Sequence, residues 1–298
     1  MDEQLIFKKT RIAPTPSGYL HLGNVLSFVI TAALAAKTGA RVLLRIDDFD
    51  RERTNKLYTQ DIFDTLNFLE IPWDEGPRNV MEFEREYSQA HRMDLYRKAL
   101  QQLKEDGQLF ACTCSRAQVV TAGAESVYPG TCRDKNISLG IGNVSWRLNT
   151  DHTKELYVKT LGGATKKTIL PAPMHDFIVR RKDGFPAYQL ISVVDDIHFR
   201  VDLVVRGDDL WPSTLAQLYL ASALGAHSFL HNTFYHHPLL TTAAGQKLSK
   251  SEGDTSVHDL RRQHKKPADI YALISGMLGF KDQAGNSREL VAMIDPSF

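Results

Sequence analysis

The 298-residue chain is short of several things, and each shortage narrows what it can be. Its net charge is only +1, so no chain-wide field advertises a polyanionic partner, and any nucleic-acid surface must be a local patch. No stretch of about 18 or more apolar residues occurs, and the opening MDEQLIFKKT holds no apolar run of signal-peptide length. Both observations argue against a membrane or secreted protein, and the cytoplasm is the expected location. Cysteine is scarce: Cys112, Cys114 and Cys132 are the whole supply, and an odd, clustered set suits metal binding better than disulfides. The remainder is ordinary for a soluble globular protein, with 43% apolar and 24% charged residues. The length exceeds one typical domain, so one elaborated domain or two coupled ones are expected.

The most informative stretch is Arg11 to Asn24, RIAPTPSGYLHLGN. An extended start (Leu5 to Ala13), a turn rich in Pro14, Pro16, Ser17 and Gly18, and a 3.6-period apolar run (Val25 to Ala36) predict strand, loop and helix. The loop empties onto a helix N-terminus, where free N–H groups and the macrodipole bind anions, and Gly18 and Gly23 let a phosphate approach the backbone. His21 stands where it could donate to a phosphoryl oxygen. Proline-rich loops before helices are common, so this stretch alone leaves an ordinary surface loop open. The same holds for GQKLSKS (Gly245 to Ser251), which presents Lys247 and Lys250 and by itself reads as a solvated loop.

After the first helix, RVLLRI (Arg41 to Ile46) is a short strand ending in Asp47, Asp48 and Asp50. Strand, helix, strand opens an α/β, doubly wound parallel sheet with its ligand site at the carboxyl ends of the strands. Asp47 then lies beside the HLGN loop, unless it belongs to a solvated acidic turn. Helical periodicity covers Thr59 to Leu69 and Ser88 to Asp106, with Gly107 closing the second helix and WDEGP (Trp73 to Pro77) forming a turn between them. Cys112, Cys114 and Cys132 offer three thiolates to a tetrahedral zinc that needs a fourth ligand: Tyr128, Glu125 or a water. The alternative is three reduced cysteines packed in a small subdomain. Short alternating segments at Val144 to Leu148 and Leu156 to Val158 predict a small β-containing insertion. The sheet is expected to resume at His175 to Arg180, Pro186 to Asp196 and Val201 to Arg206, followed by a helix from Leu215 to Leu224 capped by Ser213 or Thr214. A further helix is expected from Ala268 to Leu278. Arg11 and Arg206 are planar, permanently charged forks suited to carboxylates, or to structural ion pairs.

HLGN after an N-terminal strand, with KLSKS more than two hundred residues later, resembles the HIGH and KMSKS motifs of class I aminoacyl-tRNA synthetases. RIAPTPSGYLHLGN, LRIDDFDRER (Leu44 to Arg53), WDEGP, PAYQL (Pro186 to Leu190) and VVRGDDL (Val204 to Leu210) look like glutamyl-tRNA synthetases. The CxC pair followed by Tyr128, three residues and Cys132 resembles the short paralogues of that family. The resemblance implies a class I Rossmann-type catalytic domain in two halves, 1–108 and 175–251. Between them lies a zinc-bearing, acceptor-contacting subdomain at 109–174, and after them a helical tail at 252–298 in place of an anticodon-binding domain. It implies catalytic roles for His21 and Lys250, and ATP binding by His21, Gly23, Asn24, Lys247 and Lys250. It implies glutamate binding by Arg11, Ala13, Thr15, Ser17, Asp47, Tyr188 and Arg206, and structural zinc on Cys112, Cys114, Tyr128 and Cys132, with Mg accompanying ATP. Two departures stand out: Asn24 replaces the second histidine of the motif, and Asp47 stands where the family normally has Glu. The implied reaction is activation of L-glutamate by ATP without tRNA, then transfer to queuosine in the anticodon of tRNA(Asp), by a monomer with no membrane partner. Arg116, Arg133, Arg180, Arg181 and Lys182 could supply a local patch for RNA phosphates. A truncated glutamyl-tRNA synthetase, a ligase for another acceptor or amino acid, and an inactive RNA-binding or regulatory paralogue are the competing readings.

Overall fold

The computed structural model describes residues 6–49, 54–120, 127–240 and 256–294. In chain order the elements begin with β1 (Lys9–Ile12), α1 (Leu22–Thr38), β2 (Arg41–Leu44), α2 (Lys56–Phe68) and α3 (Val80–Glu82). There follow α4 (Met93–Glu105), β3 (Leu109–Cys112), α5 (Arg116–Val120), β4 (Ser145–Leu148), β5 (Glu155–Thr160), β6 (Thr165–Ile169) and β7 (Ile178–Arg180). The last are α6 (Tyr188–His198), β8 (Leu203–Gly207), α7 (Trp211–Ala223), α8 (His227–Leu230), β9 (Thr233–His237), α9 (Val257–Arg262), α10 (Pro267–Met277) and α11 (Ser287–Ile294).

The chain divides into two compact units. The first comprises Met1–His91, Leu203–Asp208 and His236–Phe298. Its centre is the parallel pair β1 and β2, Lys9 opposite Arg41 through Ile12 opposite Leu44, the pattern of strand, helix and returning strand. Helix α1 buries Val25, Leu26, Ile30 and Leu34. β8 lies beside β1, where an Arg11 Nη1 donates to the Val205 carbonyl at 3.2 Å. Helix α1 ends at Gly39, whose positive φ of 75° gives the left-handed cap that returns an N–H to the Ala35 carbonyl. The WDEGP turn closes on β2: Leu44 N–H donates to the Glu75 carbonyl, and Glu75 pairs with Lys9 at 2.7 Å. Glycine is required at the next position, because Gly76 has φ 102° and a Cβ there would stand 2.2 Å from the Leu44 carbonyl oxygen.

The second unit comprises Arg92–Asp202 and Asp209–Tyr235. It holds an antiparallel sheet in the order β3-β4-β7, and β5 paired antiparallel with β6 and parallel with β9. Helices α6 and α7 pack together there, and a fully buried Asp195 on α6 receives both arms of Arg92 (2.7 and 2.9 Å) and the Tyr96 hydroxyl (2.7 Å).

Three expectations need correcting. Pro186 to Asp196 contains a helix, α6, rather than a strand. Its apolar run fits either period, and what selects the helix is the burial of polar Gln189 and Asp195 among the apolar residues, each with a tertiary partner that local sequence does not announce. His175 to Arg180 contributes β7 to the antiparallel sheet with β3 and β4. Helix α7 begins at Trp211, with Pro212 in its first turn, and has no side-chain cap. Thr214 turns back to the Leu210 carbonyl, and Ser213 accepts from Gln189.

Candidate active site and metal centre

In the first unit the HLGN motif builds the start of α1. His21 is the N-cap, extended at φ −103° and ψ 170°. Its Nδ1 accepts the Gly23 N–H at 3.1 Å, while Asn24 Oδ1 accepts the His21 N–H at 3.1 Å. This is a capping box built from imidazole and amide. Asn24 therefore has a purpose that the sequence did not reveal, in satisfying an orphan backbone donor. An Nδ1 that accepts leaves the ring proton of a neutral imidazole on Nε2, which makes that nitrogen the donor. Glycine at 23 allows this, since a Cβ there would meet the His21 ring at 3.1 Å.

Beyond the ends of β1 and β2 the two chains stay together: Arg45 N–H donates to the Ile12 carbonyl and Asp47 N–H to the Pro14 carbonyl, both at 2.9 Å. Ala13 to Ser17 thus runs beside Asp47, with Ser17 N–H turned back to the Thr15 carbonyl at 2.8 Å. Asp47 is gripped by Arg45, Nε to Oδ1 at 2.7 Å and Nη2 to Oδ2 at 3.0 Å, and by Gln89 Nε2 at 3.1 Å. Its neighbour Asp48 accepts from the Ser88 hydroxyl and the Gln89 N–H. Sequence reasoning missed Arg45 and Gln89 as the frame of this carboxylate. The Arg45 signal was present, an arginine two residues from the acid at a strand end, whereas Gln89 lies 42 residues away with no local signal. Arg11 and Arg206 are both buried, on β1 and β8 of this unit. Tyr188, the first residue of α6 and half exposed, belongs to the other unit. Lys247 and Lys250 lie outside the described residues.

In the second unit the sulfurs of Cys112, at the end of β3, Cys114 and Cys132 lie within 4.8 Å of one another. A Zn–S distance of about 2.3 Å requires tetrahedral edges of roughly 3.8 Å, and Cys114 to Cys132 is 3.6 Å. The donor set therefore fits zinc. Tyr128 is buried beside them, its hydroxyl accepting the Cys132 N–H at 2.8 Å and its ring lying under the Arg147 guanidinium at 3.7 Å. Burial pushes the Cys114 thiol up to about 11. Burial also opposes ionisation of Cys132, yet the Thr113 N–H and the Cys114 thiol hydrogen aimed at its sulfur bring it down to about 6. Burial and the Cys112 sulfur hold the Tyr128 phenol protonated, a balance that a bound cation reverses. Glu125 lies outside the described residues.

Much of the basic patch is engaged by its own unit. Arg133 donates to Asp176 at 3.1 Å and to the Thr150 carbonyl at 2.9 Å, and Arg181 pairs with Asp183 at 2.7 Å. Lys182 donates to the Thr113 carbonyl, and Arg180 lies over Trp146. Nothing is described of the Arg116 side chain. Among the described residues no helix is long and apolar enough to cross a membrane.

Residues 8–140 and 141–297 match the family model of class I tRNA synthetases (E and Q), catalytic domain. A glutamyl-Q tRNA(Asp) synthetase of Nocardia farcinica is 36% identical, over 96% of this chain and 89% of its own length. A glutamate–tRNA ligase of Anaeromyxobacter sp. is 36% identical, over 84% of this chain and 53% of its own. A crystal structure of the glutamate-tRNA synthetase of Elizabethkingia anophelis superposes with TM-score 0.75 at 20% identity, covering 96% of this chain. The chain spans 65% of that structure's length.

Proposed function

The chain belongs to the class I tRNA synthetases of the E and Q type, a ligase family, and from that premise we propose that it activates L-glutamate with ATP and passes the glutamyl group to queuosine in the anticodon of tRNA(Asp). The observation that carries the first half is the His21 capping box. It holds an imidazole at the N-terminus of a 17-residue helix with Nε2 as donor, where backbone N–H groups and the dipole favour phosphate. Arg11 and Arg206 supply charge for the glutamate carboxylates, Ala13, Thr15 and Ser17 line the approach, and Asp47 receives the α-ammonium as one more donor beside Arg45 and Gln89. Tyr188, of the other unit, is the remaining glutamate-binding residue that the family resemblance implies.

The α-carboxylate oxygen attacks the α-phosphorus of ATP, the bond from that phosphorus to the α,β-bridging oxygen breaks, and glutamyl-adenylate and pyrophosphate form. An acceptor hydroxyl then attacks the acyl carbon and AMP leaves. No side chain needs to form a bond, so catalysis is positioning and charge stabilisation. His21, Gly23 and Asn24 address the phosphates, Lys247 and Lys250 neutralise the leaving pyrophosphate, and Mg arrives with ATP. Cys112, Cys114, Cys132 and Tyr128 would hold a structural zinc at the end of β3, where it would tie together the two turns that carry them. The enzyme acts as a monomer in the cytoplasm.

The acceptor half rests on the relative named glutamyl-Q tRNA(Asp) synthetase, which this chain matches over 89% of its length. The equal identity to a glutamate–tRNA ligase supports a second reading, charging of tRNA(Glu) at its 3′ end. Glutamate-dependent exchange of pyrophosphate into ATP without RNA tests activation, and Lys250→Ala lowers its rate more than it weakens glutamate binding. Labelled glutamate should transfer to tRNA(Asp) carrying queuosine, and still do so when the 3′ hydroxyls are blocked. Labelling of tRNA(Glu) instead selects the second reading, and exchange with another amino acid but not glutamate overturns the specificity. No pyrophosphate exchange with any amino acid would leave an inactive paralogue.

A further inference from the structure

Leu20, the residue before His21, is buried, and both of its backbone groups are held from distant parts of the first unit. Its N–H donates to Asp61 Oδ2 on α2 at 3.3 Å, and its carbonyl accepts the Val257 N–H at 2.8 Å. Val257 is the first residue of α9, capped by Ser256, whose hydroxyl accepts the Asp259 N–H at 3.1 Å. In sequence α9 starts six residues after the end of KLSKS. The same buried Asp61 faces α9 with its other oxygen, 3.6 Å from His258 Nδ1 and 3.5 Å from Arg261 Nη1. Arg261 reaches on toward Asp64 at 3.7 Å, and His258 stacks on Tyr19, beside Leu20, with ring centroids 4.0 Å apart.

We propose that Asp61 and the Val257 amide form a latch on Leu20 that fixes the HLGN motif to the start of α9, the first described element after KLSKS in sequence, which makes both of them positioning residues for activation. Two groups that must meet the triphosphate together come from sequence positions more than two hundred residues apart, and this is where their flanks are tied. The geometry is over-determined for a loop: two backbone hydrogen bonds, a carboxylate shared by His258 and Arg261 and a ring stack converge on Tyr19 and Leu20. A burial site for Asp61 alone would need only one partner. Its carboxyl is held above its ordinary range by burial, which outweighs the opposing pull of the Leu20 N–H, His258 and Arg261.

The latch rests on the activation reading given above, and its test separates the two. Val257→Pro deletes one N–H at a first helical position, where proline is tolerated, and the preceding Ser256 at φ −67° and ψ 156° already has the conformation that precedes proline. Val257→Ala controls for lost side-chain packing. Relative to Val257→Ala, the proline variant should lower kcat for pyrophosphate exchange by about three- to tenfold, the size of one hydrogen bond. It should raise KM for ATP and leave KM for glutamate unchanged. Asp61→Ala should do the same and Asp61→Asn less, because an amide oxygen still accepts the Leu20 N–H. Amide hydrogen exchange at Leu20 to Asn24 should quicken in Val257→Pro and not in Val257→Ala. Equal kinetics and equal amide exchange in the proline and alanine variants would overturn the latch. If the wild type shows no glutamate-dependent exchange, the activation reading falls, and amide exchange alone decides the latch in the same two directions.

Discussion

Tyr128→Phe isolates a single oxygen at the cysteine cluster. The ring, its burial and the Arg147 guanidinium over it stay, and only the hydroxyl that accepts the Cys132 N–H at 2.8 Å is lost. That buried N–H then has no acceptor, which costs about 1–3 kcal/mol. At about 2–4 °C per kcal/mol for a domain of 150–250 residues, the metal-free protein should melt several degrees lower. If the hydroxyl also completes the zinc tetrahedron, removing it weakens zinc binding by at least about tenfold, the least expected when even an outer-shell partner of a metal is lost. The assay is chelator competition on wild type and variant, read beside metal-free unfolding curves. A destabilised variant with unchanged zinc affinity would refute Tyr128 as a ligand and leave it as the acceptor for the Cys132 amide. Metal analysis finding no zinc in protein never exposed to chelator, in wild type and variant alike, would refute the site itself.

Gly23→Ala should separate fold from chemistry: alanine favours a helix by up to about 1 kcal/mol, yet its Cβ pushes the His21 ring from 3.1 Å, so stability holds or rises while pyrophosphate exchange slows. Asp195→Ala leaves Arg92 buried without its partner and should cost about 3–5 kcal/mol in urea unfolding, with Asp195→Asn milder; a loss below about 1 kcal/mol would mean that water replaces the pair. His152 is held below its ordinary 6.5 by burial and by His175 stacked at 3.7 Å, so the unfolded chain takes up the proton first. Stability should therefore be full above 6.5 and fall as pH drops below it, and His152→Gln should flatten that slope; an unchanged slope assigns it to other groups.

What the sequence determined by itself was whatever depends on neighbours along the chain. The strand, loop and helix of RIAPTPSGYLHLGN, the glycine Gly107 that closes α4, and the approach of three cysteines in a short span all follow from local spacing, and they are present. Tertiary structure decided how each chemical group is held. The role of His21 as an N-cap is local in space but unusual for imidazole, so propensity did not point to it, and Asn24 became the other half of the box. Residues 186–196 became helical because Gln189 and Asp195 found buried partners in other elements, which outweighs a run that suits either period. Asp47 depends on Gln89 and Leu20 on both Asp61 and Val257, pairings across tens to hundreds of residues. A buried carboxylate or backbone group must be satisfied by something, and the sequence states that need without naming the partner, because the partner is chosen by the folded path of the chain.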